Sequence, residues 1–340
     1  MTPERTGEEL FTVDVFRPAD APGVAELFRT VYGEGYPMKT VYDPEALVAA
    51  FEAAENIPAV ARGPDGRVVA YQAFYRSAPN KAAYEGGQGL VHPDFRGKGV
   101  ITKVGAYMVR DLLPGLGAEA VFGEAVCNHL HMQKLCISLG WVETAIEVDL
   151  MPGEAYVAER SASGRVSTLF MGMVAARRTL AVHLPARYED ALRYLYEGTE
   201  DRPEYRAGAG ELPDTASHLT VQVFDFAGVA RMTVHEAGRD FGDLIALKER
   251  ELASRDLAVI QVWLKLSWPF TGVLTETLRR RGYFLGGLLP RWFEGSDGLL
   301  MQKITGRPNW EGIKLYSKRA EWIMEIVSND WTGTGAGSKG

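Results

Sequence analysis

Apolar positions along the chain recur with two periods, one of two residues and one of about 3.6, which mark strands and helices. Val13 to Arg17 alternates as a strand. Ala21 to Tyr32 and Pro44 to Ala54 repeat at helical spacing, separated by an aromatic loop, Tyr32-Gly-Glu-Gly-Tyr36-Pro37. Pro58 to Arg62 and Val68 to Tyr75 read as strands joined by the turn Gly63-Pro-Asp-Gly66. Gly86 to Val91 is another strand, and a helix runs from Gly97 through Leu113, closed by Pro114-Gly115. Ala120 to Val126 is a strand, His129 to Leu139 a helix and Val142 to Leu150 a strand. The predicted order is β-α-α-β-β-β-α-β-α-β.

Residues 151–167 are rich in Gly, Ser, Ala and Glu and read as a connector. A second set of elements follows. Thr179 to His183 is a strand, Tyr188 to Tyr196 a helix, and 198–217 a polar, turn-rich stretch. His218 to Phe226 and Val229 to His235 form a hairpin around Ala227-Gly228. Asp240 to Ala253 is a helix, Val259 to Leu266 a strand, Thr271 to Arg281 a helix and Leu299 to Ile304 a strand. Leu139-Gly-Trp141 and Arg281-Gly-Tyr283 sit at matching places, each between a helix and a strand, which points to an internal repeat. Glu311 to Asp330 reads as a C-terminal helix whose apolar face, with Trp322, Ile323, Ile326 and Val327, docks on the body of the protein. The pattern divides the chain into residues 1–152, 153–305, a docking helix over 306–331 and a disordered tail over 332–340.

With 340 residues, the chain exceeds a usual domain of about 100–150 residues, so two domains are expected. No apolar run reaches the ~18–20 residues of a membrane-spanning helix. The acidic, polar start is neither a signal nor a transit peptide, and a cytoplasmic location is expected. Two cysteines, Cys127 and Cys136, make no disulfide framework. A formal net charge of −7 with only short basic clusters argues against a nucleic-acid partner and mildly favours a cationic amine.

The sharpest chemical signal is Val91-His-Pro-Asp-Phe-Arg96-Gly97-Lys98-Gly99-Val100-Ile101. A strand ends, a basic glycine-rich turn follows, and a helix begins. The first amides of a helix lack intrahelical acceptors and sit at the positive end of its dipole, so they bind phosphate. Glycine lets backbone approach the anion, and Arg96 and Lys98 add charge. The turn is not a P-loop, since Gly99 rather than Ser or Thr follows Lys98, and it lacks the G-x-G-x-x-G spacing of a dinucleotide fold. The alternative is a strand-to-helix turn whose glycines serve geometry alone.

Over residues 11–150 the chain resembles the GNAT N-acyltransferases, whose fourth strand is followed by a Q/R-x-x-G-x-G/A turn. Arg96 and Gly99 match that motif, while Ile101 stands where the family has Gly or Ala. Asn128 through Leu139-Gly140-Trp141 looks like the family's Asn-to-Gly-Phe ending; Asn128 also suits the N-cap of the helix near His129. The resemblance implies an α/β fold of tandem GNAT-like domains, each a mixed, mostly antiparallel sheet flanked by helices. The second copy lacks the turn and carries Asp240 and Asp243 at the helix start, where they would compete with phosphate. It also implies acetyl-CoA or another acyl-CoA as co-substrate, held by Leu90, Val91, Arg96, Gly97, Lys98, Gly99, Val100, Ile101 and Asn128, with no metal and with an amine acceptor. A monomer with an internal pseudo-dimer, or a homodimer, is expected.

In that family the fourth and fifth strands splay, the thioester enters, a neutral amine attacks, a base takes its proton and an acid returns one to the thiolate. Glu124, in Phe122-Gly-Glu-Ala-Val126, is the candidate base, with a structural hydrogen-bonding role as its alternative; Glu85, before the fourth strand, is a second candidate or a surface residue. Gln88 stands where many relatives carry Glu and can hold a water. Cys136 stands where the family acid is usually Tyr; a thiol with a pKa of about 8.5 can serve, although Met132, Leu135, Cys136 and Leu139 also form an apolar helix face. Tyr36 and Tyr42 are candidate acceptor contacts, with loop packing as the alternative. The cluster Cys127, His129, His131 and Cys136 matches no standard zinc spacing. Arg291-Trp-Phe293, Trp263 and Trp268 read as core or interface aromatics. A non-catalytic acyl-CoA-binding module and a scaffold protein remain as alternative functions.

Overall fold

The computed structural model describes residues 10–156 and 164–334. The chain forms two compact units, one of residues 1–77 and 84–121 and one of 78–83 and 122–340. Among the described residues no helix is long and apolar enough to cross a membrane.

In the first unit, β1 (Thr12–Val15), β2 (Asn56–Arg62), β3 (Val68–Tyr75) and β4 (Ala83–Val91) pair antiparallel in that order. Helices α1 (Ala21–Tyr32) and α2 (Pro44–Glu52) cover one face. The α1 stripe Val24, Leu27 and Phe28 is buried against Val60, Tyr71 and Ala73 of the sheet, as period matching requires. Asp43 caps α2 by accepting from the amides of Glu45 and Ala46, and Pro44 fits the first helical position. Helix α3 (Val100–Tyr107) follows β4 and continues through a π-helical turn, Met108–Leu112.

The second unit holds β5 (Ala120–Val126) from Phe122 on, α4 (His131–Ser138), β6 (Val142–Met151) and β7 (Val166–Val174). Next come β8 (Thr179–Leu184), α5 (Glu189–Glu197) and β9 (Arg202–Ala207), in which β8 and β9 form a parallel pair. Then follow β10 (His218–Phe224), β11 (Val229–Glu236), α6 (Phe241–Leu252), β12 (Val259–Lys265), α7 (Thr271–Arg279), β13 (Phe284–Phe293), β14 (Ser296–Ile304) and α8 (Lys318–Thr332). Its main sheet runs β5-β7-β6-β13-β14-β12-β11-β10. Two blocks therefore share one arrangement. In β5-α4-β6-β7 and in β12-α7-β13-β14 the third strand lies between the first and second. Gly140 and Gly282 end the two helices with φ of +83° and +87°, a conformation that favours glycine. Trp141 and Tyr283 each bond back to the helix, to Cys136 O and Leu278 O.

The blocks meet where β6 and β13 pair at a single register position, Ala145 with Gly287. A Cβ on Gly287 would lie 2.4 Å from Thr144 O, so only glycine permits the approach. Beyond that point the side chain of Gln302 replaces strand pairing, accepting from Val148 N at 2.9 Å and donating to Ile146 O at 2.9 Å. Phe122, Phe170, Trp263, Trp292 and Leu300 form the core here, with Trp263 and Trp292 ring centroids 4.4 Å apart.

Several expectations are corrected. Residues 166–167, the end of the expected connector, and the unassigned residues 168–174 form β7, paired with β6, so a boundary at 152 falls between two sheet neighbours. Residues 202–207, read as polar turn, form β9; residues 284–293, unassigned, form β13 despite Gly286, Gly287 and Pro290, because register shifts absorb them. The C-terminal helix starts at Lys318, capped by Ser317, rather than at Glu311. Thr332 ends that helix and Thr334 bonds back to Trp331 O, so residues 332–334 are not disordered; residues 335–340 of the expected tail lie outside the described residues.

Helix α8 is anchored by Asp330, which accepts from Arg279, from Tyr188 Oη at 2.8 Å and from Leu285 N at 2.8 Å. Removing one partner of such a buried ion pair strands the other charge. Asp330→Ala is expected to cost about 3–5 kcal/mol of stability in urea unfolding. A loss below about 1 kcal/mol would show that the anchor behaves as a surface pair.

Candidate functional site

The turn after β4 is built as its composition predicts. Pro93–Phe95 makes a single 3-10 turn, Gly97 and Gly99 adopt φ of +73° and +72°, and Gly99 is the N-cap of α3. Arg96, Gly97, Lys98 and Gly99 are exposed, whereas Val100 is buried and holds the helix start in place. A Cβ on Gly97 or Gly99 would meet nothing within 4 Å, so these glycines serve backbone conformation and leave open space above the helix start. Arg96 Nε donates to Val91 O at 3.4 Å, and Lys98 lies 5.0 Å from the Phe95 ring centroid. Ile101 points toward β4: a Cβ on Gly89 would stand 3.4 Å from its Cδ1.

Strand β4 carries a bulge beside that helix. Gln88 has φ of +57°, and the register with β3 shifts between Tyr71 and Ala73. A bulge turns local backbone groups out of the ladder. Gln88 is buried, accepts from Tyr71 Oη at 3.2 Å and donates to Met38 Sδ at 2.9 Å. Glu85 lies inside β4 rather than before it; it is buried and accepts from Ser77 Oγ at 2.6 Å and from Tyr75 Oη. Tyr36 packs on Phe28 and Tyr32, with ring centroids at 4.9 and 5.1 Å. Burial raises its hydroxyl pKa, helped by Tyr32 and Glu85. Tyr42 is buried, and its hydroxyl accepts from Tyr36 N at 2.9 Å, a loop-closing role. Leu90 is buried with this core and Val91 is half-buried.

The other three candidates belong to the second unit. Asn128 is 2% exposed but does not cap α4, whose N-cap is Leu130, because the helix begins at His131. His129 therefore precedes the helix, and its ring lies 5.3 Å from that of His131 instead of on an opposite helix side. Among the described residues no group of three His, Cys, Asp or Glu is placed to hold a metal. Cys136 is buried, and its thiol is pushed up to about 12 by burial and then by the Glu143 charge. It keeps its proton near neutrality but is a poor match for protonating a more acidic thiol's anion.

Glu124 is not isolated in an apolar strand. Arg231 of β11 donates to its Oε1 at 2.7 Å and to Glu147 Oε1 at 3.1 Å. Glu147 also accepts from Gln261 at 2.9 Å and Thr168 at 3.0 Å. Burial and then the Glu124 charge raise Glu147 to about 7, against the pull of Arg231, Gln261 and Thr168. The sequence reading passed over Glu147, Arg231, Gln261 and Thr168. The available signal was Val142-Glu-Thr-Ala-Ile-Glu-Val-Asp-Leu150, whose Glu143, Glu147 and Asp149 look like a solvated face, yet all three are buried.

In the C-terminal part of the chain, the turn where β11 runs into α6 is covered by residues 213–217. Ser217 Oγ accepts from Gly238 N at 2.9 Å, Asp240 accepts from Ser217 N at 2.8 Å, and Pro213 O accepts from Arg239 N at 3.2 Å. A Cβ on Gly238 would fall 1.7 Å from Thr215 O.

No protein family model matches the chain, and no curated protein matches it. Solved structures do. The Vibrio fischeri ribosomal-protein-S5-alanine acetyltransferase is 12% identical with a TM-score of 0.40, covering 50% of this chain and 95% of its own. A Salmonella typhimurium protein, described as an acetyltransferase and solved with its cofactor acetyl-CoA, is 19% identical with a TM-score of 0.39, covering 49% and 95%. A Desulfovibrio desulfuricans protein described as an acetyltransferase of the GNAT family is 14% identical with a TM-score of 0.38, covering 49% and 99%. Each of these solved structures is described as an acetyltransferase and matches about half of this chain.

Glu147 couples this region to stability. Its folded value lies above the ordinary 4.5, so the folded state binds more protons between about 4.5 and 7, and stability falls as pH rises through that window. Asp149, raised to about 6, adds to the same slope. Glu147→Gln is expected to flatten the fall in Tm between pH 5 and pH 7.5 while leaving the Asp149 part. Calorimetric melts that decline equally in both proteins would show that Glu147 titrates as an ordinary carboxylate.

Proposed function

We propose that the chain is an acyl-CoA-dependent N-acyltransferase, with acetyl-CoA as donor and an amine as acceptor. The observation that carries this reading is the exposed turn before α3, in which two left-handed glycines leave open space over the first helical amides. Arg96, Gly97, Lys98, Gly99, Val100 and Ile101 would hold the pyrophosphate by backbone N–H groups and charge. Leu90 and Val91, beyond the Gln88 bulge, would meet the pantetheine arm, with Asn128 as a further contact. Backbone amides turned out by such a bulge suit a developing oxyanion, and the reaction would rest on positioning and electrostatics.

Glu124 is the proposed proton acceptor. Glu85, the other candidate, is occupied by Ser77 and Tyr75. Tyr36 and Gln88 remain the proposed acceptor contacts, whereas Tyr42 is assigned to loop closure. The amine loses one proton to the base and attacks the thioester; the C–N bond forms and the C–S bond breaks. The second nitrogen proton offsets the charge on the departing thiolate. Cys136 is a weak candidate for passing that proton, given its high pKa, and water suffices. That same weakness favours one second reading, an acyl-CoA-binding module without turnover.

We read the two matching blocks as the traces of a tandem GNAT-like arrangement, forming an internal pseudo-dimer. The second copy would bind no cofactor, because its own segment 213–217 lies on the start of α6, where Asp240 and Asp243 also oppose an anion.

Calorimetric titration tests both points. Acetyl-CoA should bind with one site per chain. Gly99→Glu should weaken it by roughly 100-fold, or about 2.8 kcal/mol. Gly99→Ala, which shares the φ strain without the charge, should lose less. A folded protein that binds neither acetyl-CoA nor free CoA would sink the proposal, and two sites per chain would sink the closed second copy.

A further inference from the structure

The proposed base of the N-terminal part is held by an arginine from the C-terminal part. Arg231 is a fixed wedge. Its Nη2 reaches Glu124 and Glu147, its Nε donates to Gln261 Oε1 at 2.8 Å, and its guanidinium lies over the rings of Phe224 and Trp263 at 5.6 and 5.4 Å. Gln261 is fully buried and is itself tied to Glu147, so the fork cannot swing without breaking a buried network. Exposure is graded through the cluster. The side chain of Glu124 is 18% exposed, that of Arg231 12% and that of Glu147 3%. One carboxylate thus faces outward, the guanidinium lies between, and the second carboxylate is sealed behind it. The groups facing the pair are Arg231 and Gln261 from β11 and β12, Thr168 from β7, and the buried Cys127 thiol, which feels the Glu147 charge.

Two carboxylates sharing one guanidinium titrate as a pair and not as independent acids. The outer charge raises the proton affinity of the inner carboxylate, and the arginine lowers it. We propose that Arg231 is a positioning residue for Glu124, and that Glu147 is its proton-sharing partner, so that the C-terminal part of the chain sets the proton affinity of the base. This inference rests on the acyltransferase reading. In the step, an acceptor R-NH3+ gives one proton to the Glu124–Glu147 pair, which later returns it to solvent; the freed amine then attacks the thioester as described above.

The test is the pH profile of thiol release from acetyl-CoA, with a mixture of n-butylamine, spermidine, glycinamide and an alanine-initial peptide as probe acceptors. The acid limb of kcat/KM should move down by at least about one pH unit in Glu147→Gln, and up by a similar amount in Arg231→Gln with kcat lowered roughly tenfold. Arg231→Lys, which restores the charge without the fork, should bring the limb part of the way back. KM for acetyl-CoA should stay unchanged throughout. A limb that stays fixed while folded variants turn over would overturn the positioning role and leave the acyltransferase reading intact. No thiol release and no acetyl-CoA binding would overturn the acyltransferase reading itself. A protein that binds acetyl-CoA but releases no thiol to any probe amine supports the binding module and overturns the proton-sharing role. If the variants fail to fold, carbon-13 titration of glutamate δ-carbons in the wild type decides. One glutamate step near neutrality is expected, and its absence refutes the shared proton.

Discussion

Burying the carboxylate of Glu147 on β6 obliges neighbouring strands to supply its partners, since an isolated charge cannot leave water without a large penalty. Those partners come from β7, β11 and β12. In sheet order β5 and β11 are six places apart, about 29 Å if the sheet were flat. Yet Arg231 and Glu124 are 2.7 Å apart. The sheet of the second unit must therefore fold back on itself. The place where it can do so is the single-residue join of β6 and β13, where Gly287 allows close approach and Gln302 takes over the backbone groups that pairing leaves. The ion pair, the fold-back and the side-chain substitution for a ladder are one arrangement seen at three places.

The same logic recurs elsewhere in that unit. Asp297 is fully buried, accepts from Arg178, from Tyr196 at 2.6 Å and from Arg291 N at 2.7 Å, and so fixes the hairpin of β13 and β14 to α5. Asp201 meets Arg291 beside it. Asp330 does the equivalent for α8. Each is costly to break and of little net worth against an apolar replacement. Their common effect is specificity: apolar faces can slide, whereas a buried carboxylate with several directed donors admits one register.

What could be read from the sequence follows from the range of the signal. The β4–α3 turn was legible because Gly97, Gly99 and the basic residues act within a few positions of each other. The helix endings at Gly140 and Gly282 were legible for the same reason. Strand β13 was not, because Gly286, Gly287 and Pro290 read locally as breakers, while their use is a bulge and a close approach to a distant strand. Strand β9 is six residues long, buries none of them and carries Pro203, which reads locally as a breaker. Glu124 was visible as a charge in an apolar strand; Arg231, 107 residues away, was not visible as its partner. The three acidic residues of β6 look like a solvated face because what covers them comes from distant parts of the same unit: Ser317 at Glu143, Arg231 and Gln261 at Glu147, and Asn309 at Asp149.

The two strand-to-helix turns show how an open helix start and a covered one arise from the same local geometry. Before α3, left-handed glycines carry no neighbours and the helix start stays open. Before α6, Gly238 is needed because Thr215 O sits where a side chain would be, and Asp240 accepts an amide of the chain itself. In that second turn the Ser217 hydroxyl accepts from Gly238 N and the Pro213 carbonyl from Arg239 N, acceptors of the kind a phosphate would provide at the proposed site of the first. A helix start is satisfied equally well by either. The two are separated by occupancy: once the segment 213–217 lies on the turn, an anion must displace it and bear the ordering cost already met in folding. Under the proposed reading the C-terminal part offers no anion site at this turn, and what it offers to the chemistry is Arg231, a side chain from the strand that leads into the covered turn.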